Sequence, residues 1–151
     1  MTEFKSLFGS MLGLGKNGEL ASQNRRGYSR HTDRIGNAVI TIAAEAGDAR
    51  AITVQLYDHN GDAITWAGYF EIILFSSSAM TDFVATGGST GLAAGASGKL
   101  QAVIAKKLFR AITTTAGLWA GTYTDTGTDA GYLAIRLPNG QIIAGGTITN
   151  A

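Results

Sequence analysis

The chain has 151 residues, no cysteine, and a net charge of +1 from 12 basic and 11 acidic residues. That length makes one domain, or one domain with an appendage, and allows a real core to be buried. The lack of cysteine excludes a disulfide framework, thiolate catalysis and metal–thiolate sites. A charged fraction of only 15% is lower than a free monomer's surface usually carries, and points to a surface partly covered by partners.

The charge is uneven. Residues 1–34 hold six basic and three acidic side chains, net +3, whereas residues 35–151 hold six and eight, net −2. A basic head on a mildly acidic body favours an acidic partner, protein or nucleic acid, through a salt-dependent attraction.

In chain order, the first signal is a stripe. Phe4, Leu7, Phe8, Met11 and Leu12 recur at i, i+3, i+4, i+7, i+8, which predicts a short amphipathic helix. Thr2 is placed to cap it, and Gly13 and Gly15 to end it. So short a helix is marginal alone in water, so its stripe needs a support. Two supports remain open: its own body, or a groove on another subunit. Residues 15–36 are polar and aperiodic, a run that marks a linker or functional arm rather than the interior of a compact domain. The sequence thus divides into an arm, 1–36, and a body, 37–151.

The body reads as β throughout. Val39–Ile42 opens it, and Ile52, Val54 and Leu56 alternate with Thr53, Gln55 and Tyr57, the period of a strand with one buried face. Asp58-His59-Asn60-Gly61 is a turn by composition. Phe70–Phe75 is nearly continuous apolar sequence, which predicts a central strand. Residues 87–98 are rich in Gly, Ala and Ser and read as a loop. Leu100–Lys107 reads as a strand or a short helical turn, with strand favoured; Leu108–Thr114, Leu118–Asp125, Tyr132–Leu137 and Ile142–Ile148 read as strands, with Ala116-Gly117 and Pro138-Asn139-Gly140 as turns. Short strands with turn signals between them predict an antiparallel sandwich or barrel.

Chemistry-bearing patterns are few. His31 lies in the arm and His59 in a turn, with no nucleophile elbow beside either. Gly13-Leu14-Gly15-Lys16-Asn17-Gly18 spells G-x-G-x-x-G but follows no strand. The Gly98-Lys99 pair ends a glycine-rich run without the hydroxyl residue that a phosphate loop requires. Asp58/Asp62 and Asp125/Asp129 sit in turn-rich sequence, where Asp bonds its own backbone. No cofactor, metal site, membrane span or enzymatic role is expected. The aromatics Trp66, Tyr69, Trp119 and Tyr123 form either a sugar platform or, as is commoner in an all-β domain, core and cross-strand partners.

The strongest local cluster is Arg25, Arg26, Tyr28 and Arg30, with Arg34 following. Arginines with an interleaved aromatic grip phosphates and stack on bases, or lie in an acidic groove of a protein. The near-neutral chain favours the protein groove.

Several of these segments together carry a resemblance. They are Ile52 to Asp62, Phe70 to Ser76, Thr113-Thr114-Thr115-Ala116-Gly117, Thr124-Asp125-Thr126-Gly127, and Tyr132 to Gly140 with its closing Leu137-Pro138-Asn139-Gly140. A strand ending in Asp-x-x-Gly and a late Leu-Pro-x-Gly hairpin resemble the small immunoglobulin-like β-sandwich modules of tailed-bacteriophage virion proteins. The resemblance covers roughly two-thirds of the chain. It implies an immunoglobulin-like, Greek-key antiparallel sandwich in a capsid cement (decoration) protein of the virion. It further implies the major capsid protein as partner, self-association on the shell, and no catalytic residues. A tail or fibre module binding a host receptor or glycan is the alternative. The partner-binding residues expected are Phe4, Leu7, Phe8, Met11, Leu12, Arg25, Arg26, Tyr28, Arg30 and Arg34.

Overall fold

The computed structural model of the chain describes residues 35–150, and every regular element among them is a β-strand. The strands are β1 (Asn37–Ile42), β2 (Ala49–Tyr57), β3 (Tyr69–Phe75), β4 (Gly91–Ala94) and β5 (Lys99–Ile104). They continue as β6 (Leu108–Ile112), β7 (Leu118–Thr124), β8 (Tyr132–Arg136) and β9 (Ile142–Thr147). They form a four-stranded sheet of order β1-β2-β7-β4 and a five-stranded sheet of order β5-β6-β3-β8-β9. Every pairing is antiparallel.

Alternation decides which face each strand buries. Ile52, Val54 and Leu56 of β2 are fully buried while Thr53, Gln55 and Tyr57 are half-buried, as their period requires. On the opposing sheet Phe70, Ile72 and Leu74 of β3 and Leu133 and Ile135 of β8 point inward. The near-continuous apolar run of β3 reflects its place as the middle strand of five. Loop residues close the core at its ends: Ile35, Ile64, Val84, Leu137 and Ile148 all belong to it.

Trp119 of β7 bridges the two layers. Its ring is fully buried and meets Phe70 of β3 edge-on, with centroids 6.2 Å apart and planes at 84°, a favourable aromatic geometry. Its Nε1 donates to the carbonyl of Lys99 in β5 at 3.2 Å, so the buried donor is satisfied.

The turns follow their sequence chemistry. Asp58 Oδ1 accepts from the backbone N–H groups of Asn60 (2.8 Å) and Asp62 (3.1 Å), and Gly61 takes φ 88°, the left-handed region that glycine enters without steric cost. The Pro138-Asn139-Gly140 turn closes through the N–H of Gly140 to the carbonyl of Leu137 at 2.9 Å. Residues 87–98 depart from expectation. Within them Gly91–Ala94 is β4, an edge strand paired to β7. Its pairing is anchored by Leu92, which is buried opposite Tyr123, while its small neighbours carry too little apolar contrast to display a period.

The chain's late residues tie back to its early strands. Arg50 of β2 donates from Nε to Asn150 Oδ1 (2.9 Å) and from Nη2 to the carbonyl of Thr149 (2.7 Å). The Asn150 amide donates to the carbonyls of Asp48 (2.8 Å) and Asp125 (2.9 Å). Asn150 is itself 2% exposed, so these bonds satisfy an amide that would otherwise be costly to bury.

A tight backbone approach that involves the core indole is at Gly121 of β7. A Cβ there would stand 2.3 Å from Cη2 of Trp119 and 2.6 Å from the carbonyl oxygen of Ala93 in β4. Neither neighbour yields without moving the indole or the edge strand. Gly121→Ala is therefore expected to destabilise the fold by about 1–3 kcal/mol, the range for overpacking. Chemical denaturation of the two proteins measures it, and an unchanged midpoint would contradict this account of the packing.

Candidate functional site

The outward face of the five-stranded sheet carries an ordered row of charged and polar groups. The register places Gln101 (β5), Arg110 (β6), Glu71 (β3), Arg136 (β8) and Ile142 (β9) directly across the five strands in one row. The row beside it carries Lys99, Ile112 and Tyr69. These residues alternate with inward neighbours such as Phe70 and Ile72, which are fully buried.

Glu71 is the centre of this arrangement. It is only 7% exposed although it lies on the outer face, because its neighbours close over it. Arg136 donates to its Oε2 from Nε at 2.7 Å and also from Nη2. Tyr69 Oη donates to its Oε1 at 3.1 Å. Arg110 approaches Oε1 more loosely, with Nε at 3.9 Å, an ion pair beyond hydrogen-bond length. A carboxylate this enclosed is expensive unless paired, and two cross-strand guanidinium groups supply the pairing. Burial raises the Tyr69 hydroxyl pKa above its ordinary value, aided by its bond to Glu71 and the carboxylate charge, with Arg110 and Arg136 opposing.

Two open recesses flank Tyr69. One, of about 280 Å³, is lined by Tyr69, Glu71, Arg136, Leu137, Pro138 and Gly140. The other, also about 280 Å³, is lined by Tyr69, Lys99, Leu100, Gln101, Arg110 and Ile112. Further along the same face a small apolar cluster forms outside the main core, with Ile73, Phe75 and Ala134 packed against Met80, Leu108 and Tyr132.

A second polar locus lies at the end of the sandwich. Asp125 is 2% exposed, and its Oδ1 accepts from the N–H groups of Ser89 and Gly127, both at 3.1 Å. It therefore pins the loop before β4 to the loop after β7. Its Oδ2 and the hydroxyl of Tyr123 are buried without a hydrogen-bond partner among the described residues. Burial, and then the negative charges of Asp125 and Asp129, push the Tyr123 pKa up to about 12.

The residues singled out by sequence distribute as follows. Phe4, Leu7, Phe8, Met11, Leu12, Arg25, Arg26, Tyr28, Arg30 and Arg34, with His31, lie outside the described residues. His59 is exposed in its turn. The four aromatics do not converge on a platform: Trp119 and Tyr123 are fully buried in the core, Trp66 packs against it, and Tyr69 alone joins the outer face. Lys99 begins a strand rather than a helix, which removes the context of a phosphate loop. Among the described residues no group of three or more His, Asp or Glu side chains is placed to hold a metal ion.

Sequence reasoning missed the Arg110–Glu71–Arg136 row. The available signal was Glu71 itself, one carboxylate inside the apolar run Tyr69–Phe75. A charge there needs a partner, but sequence does not say which strand brings it. Comparison with protein-family models gives no match, and comparison with curated proteins gives none either.

Two outcomes are expected from this geometry. Glu71→Ala should cost about 1–3 kcal/mol in denaturant unfolding, since charge-assisted bonds are lost. Arg110→Ala should cost less than about 1 kcal/mol, because its looser pair is solvent-screened. A loss in Arg110→Ala as large as that in Glu71→Ala would contradict the loose Arg110 pairing described here. For Tyr123 the folded state retains the phenol proton to about pH 12, against an ordinary value of 10.0. Its contribution to stability is thus complete below pH 10 and is lost as pH rises towards 12. Thermal melts of Tyr123→Phe should decline less steeply across that window than those of the parent, and parallel curves would exclude Tyr123 as the cause.

Proposed function

We propose that this chain is a non-enzymatic structural protein of a virion, a capsid cement (decoration) protein that binds across major capsid protein subunits. The sandwich is the body, and the basic arm with its apolar stripe is the tie. The observation that carries this reading is the outer sheet face. Among the described residues no element covers it, and it mixes half-exposed Ile112 and Ile142 with paired charges, the composition of a surface that meets a partner rather than water alone.

The topology supports the immunoglobulin-like part of the proposal. In such sandwiches one sheet has strand order A-B-E-D and the other pairs C with F and F with G. Here β1-β2-β7-β4 fills the first pattern, and β3-β8-β9 fills the second. The departure lies between them. After β3 the chain visits the edge position β4 before returning to β5 and β6 beside β3, so the middle strands are traversed in a different order from the variable-type fold.

The side chains on the outer face also fit a structural role. The Glu71 carboxylate is engaged by Tyr69 and Arg136, an arrangement that ties β3 to β8 on that face. Docking would then combine two terms. Apolar side chains of the arm would be laid into a capsid groove, each worth about 1.5–3 kcal/mol when fully buried, before ordering costs. Repetition over symmetry-related sites would add avidity.

The test is co-sedimentation with purified shells of the phage that carries the chain. The proteins are the full chain, a version beginning at Ile35 so that this core residue is kept, and a full-length Phe4→Asp/Phe8→Asp variant. The full chain should pellet with shells, and the other two should bind at least about tenfold more weakly. If none of the three associates with shells, the cement reading is wrong.

A further inference from the structure

We propose that the outer face of the five-stranded sheet is a docking site for an acidic, extended segment of a partner protein. One partner carboxylate would seat on Arg110 and Lys99, and an apolar neighbour against Tyr69 and Ile112. This goes beyond the assembly reading and does not depend on it, because the partner is defined by chemistry rather than by the particle it belongs to.

The face is cationic. Lys99, Arg110 and Arg136 are opposed there by Glu71 alone, a local excess of two positive charges on a body whose overall balance is net −2. The two arginines are not equivalent. Arg136 spends its fork on Glu71, whereas Arg110 makes no hydrogen bond among the described residues and approaches Glu71 only to 3.9 Å. Its side chain is 56% exposed, which leaves most of its donor capacity open to a partner. A guanidinium in that state matches a carboxylate bidentately. Lys99 lines the same recess and adds a second positive charge, and Gln101 adds an amide. The other walls are Tyr69, Leu100 and Ile112, which suit an apolar side chain next to the acid. An extended segment, whose side chains alternate, presents its residues at the spacing of a strand.

Other occupants fit less well. A second copy placed face to face would bring cation against cation, and Glu71, at 7% exposed, is too enclosed to meet a partner's arginines. A nucleic acid would need a run of cations along its phosphates, but this row separates its two arginines with a carboxylate and ends on Ile142.

Fluorescence anisotropy on the full-length protein tests the proposal. The probes are a labelled acetylated peptide alternating glutamate and leucine, its glutamine-for-glutamate counterpart, and a single-stranded oligothymidine of similar length. Because the arm is also basic, the decisive comparison is among variants: Arg110→Ala, Lys99→Ala, and Lys107→Ala as a charge-matched change in the β5–β6 turn. The acidic peptide should bind saturably, the glutamine counterpart should not, and Arg110→Ala should weaken binding about tenfold or more. Lys99→Ala should weaken it less and Lys107→Ala should leave it unchanged. Wild-type affinity in Arg110→Ala, equal binding of the glutamine peptide, or no saturable binding at millimolar peptide would each overturn the proposal. Arg110-dependent binding of the oligothymidine in preference to the peptide would overturn it in favour of nucleic acid. Shell co-sedimentation by Arg110→Ala separates the two ideas: normal sedimentation with lost peptide binding keeps the docking face and removes it as support for the cement reading, which then rests on the basic N-terminal segment alone.

Discussion

A single indole sets the spacing of the two sheets. Trp119 projects from β7 across the interior, stacks its edge on Phe70 and bonds its nitrogen to the backbone of β5. Being large, rigid and polar at one point only, it constrains both the separation of the layers and the register of an edge strand relative to the opposite sheet. Its neighbours are chosen accordingly. Gly121 leaves room beneath its six-membered ring, and Leu92 and Tyr123 fill the adjoining space on the same sheet. The alternating Ile, Val and Leu of β2 and β3 then complete a core in which no side chain needs to reach further than its strand allows.

With the interior fixed, the outer face of the five-stranded sheet is left to other forces. An antiparallel sheet tolerates water on one side, and most of its outward positions are polar or half-exposed. Two features break that pattern in opposite senses. Ile73, Phe75 and Ala134 gather an apolar patch beneath Met80, Leu108 and Tyr132, while Glu71 brings a carboxylate into near-complete enclosure. Both are consequences of β3 lying in the middle: a central strand's outward side chains are roofed by those of the strands on either side. The sheet's edges are treated differently. The β5–β6 pairing shifts register between Ala102 and Ile104, and the β8–β9 pairing between Leu133 and Ala134. Such bulges twist an edge away from further strand pairing.

The strands were legible in the sequence where a period of two was strong and local. Ile52, Val54 and Leu56 declared their inward face, the Phe70–Phe75 run declared a central strand, and Asp58 with Gly61 declared a turn. Local signals sufficed because each is settled within a few residues. β4 escaped because a strand built from Gly91, Ala93 and Ala94 around a lone Leu92 has almost no hydrophobic contrast, and only its pairing with β7 makes it a strand. The charged row escaped for a related reason. Glu71 meets Arg136 across 65 residues of sequence, and no pattern around either residue encodes that meeting. Residues 1–34 are the reverse case: their apolar stripe and arginine cluster are plain in the local sequence, but they lie outside the described residues.

The bonds that close the C-terminal tail have a consequence for the order of events during synthesis. Arg50, Asp48 and Asp125 each take a partner in Thr149 or Asn150, about a hundred positions later than the first two. The β2–β7 pairing likewise waits for a strand that emerges long after β2. β1 and β2 adjoin in sequence and can pair early, but the other edge of β2 stays open until β7 is made. Folding by such distant pairings is slow, and partly made sheets are prone to associate with one another. The four-stranded sheet and the ties at Arg50 and Asp48 are therefore complete only once residues 118–150 have been made.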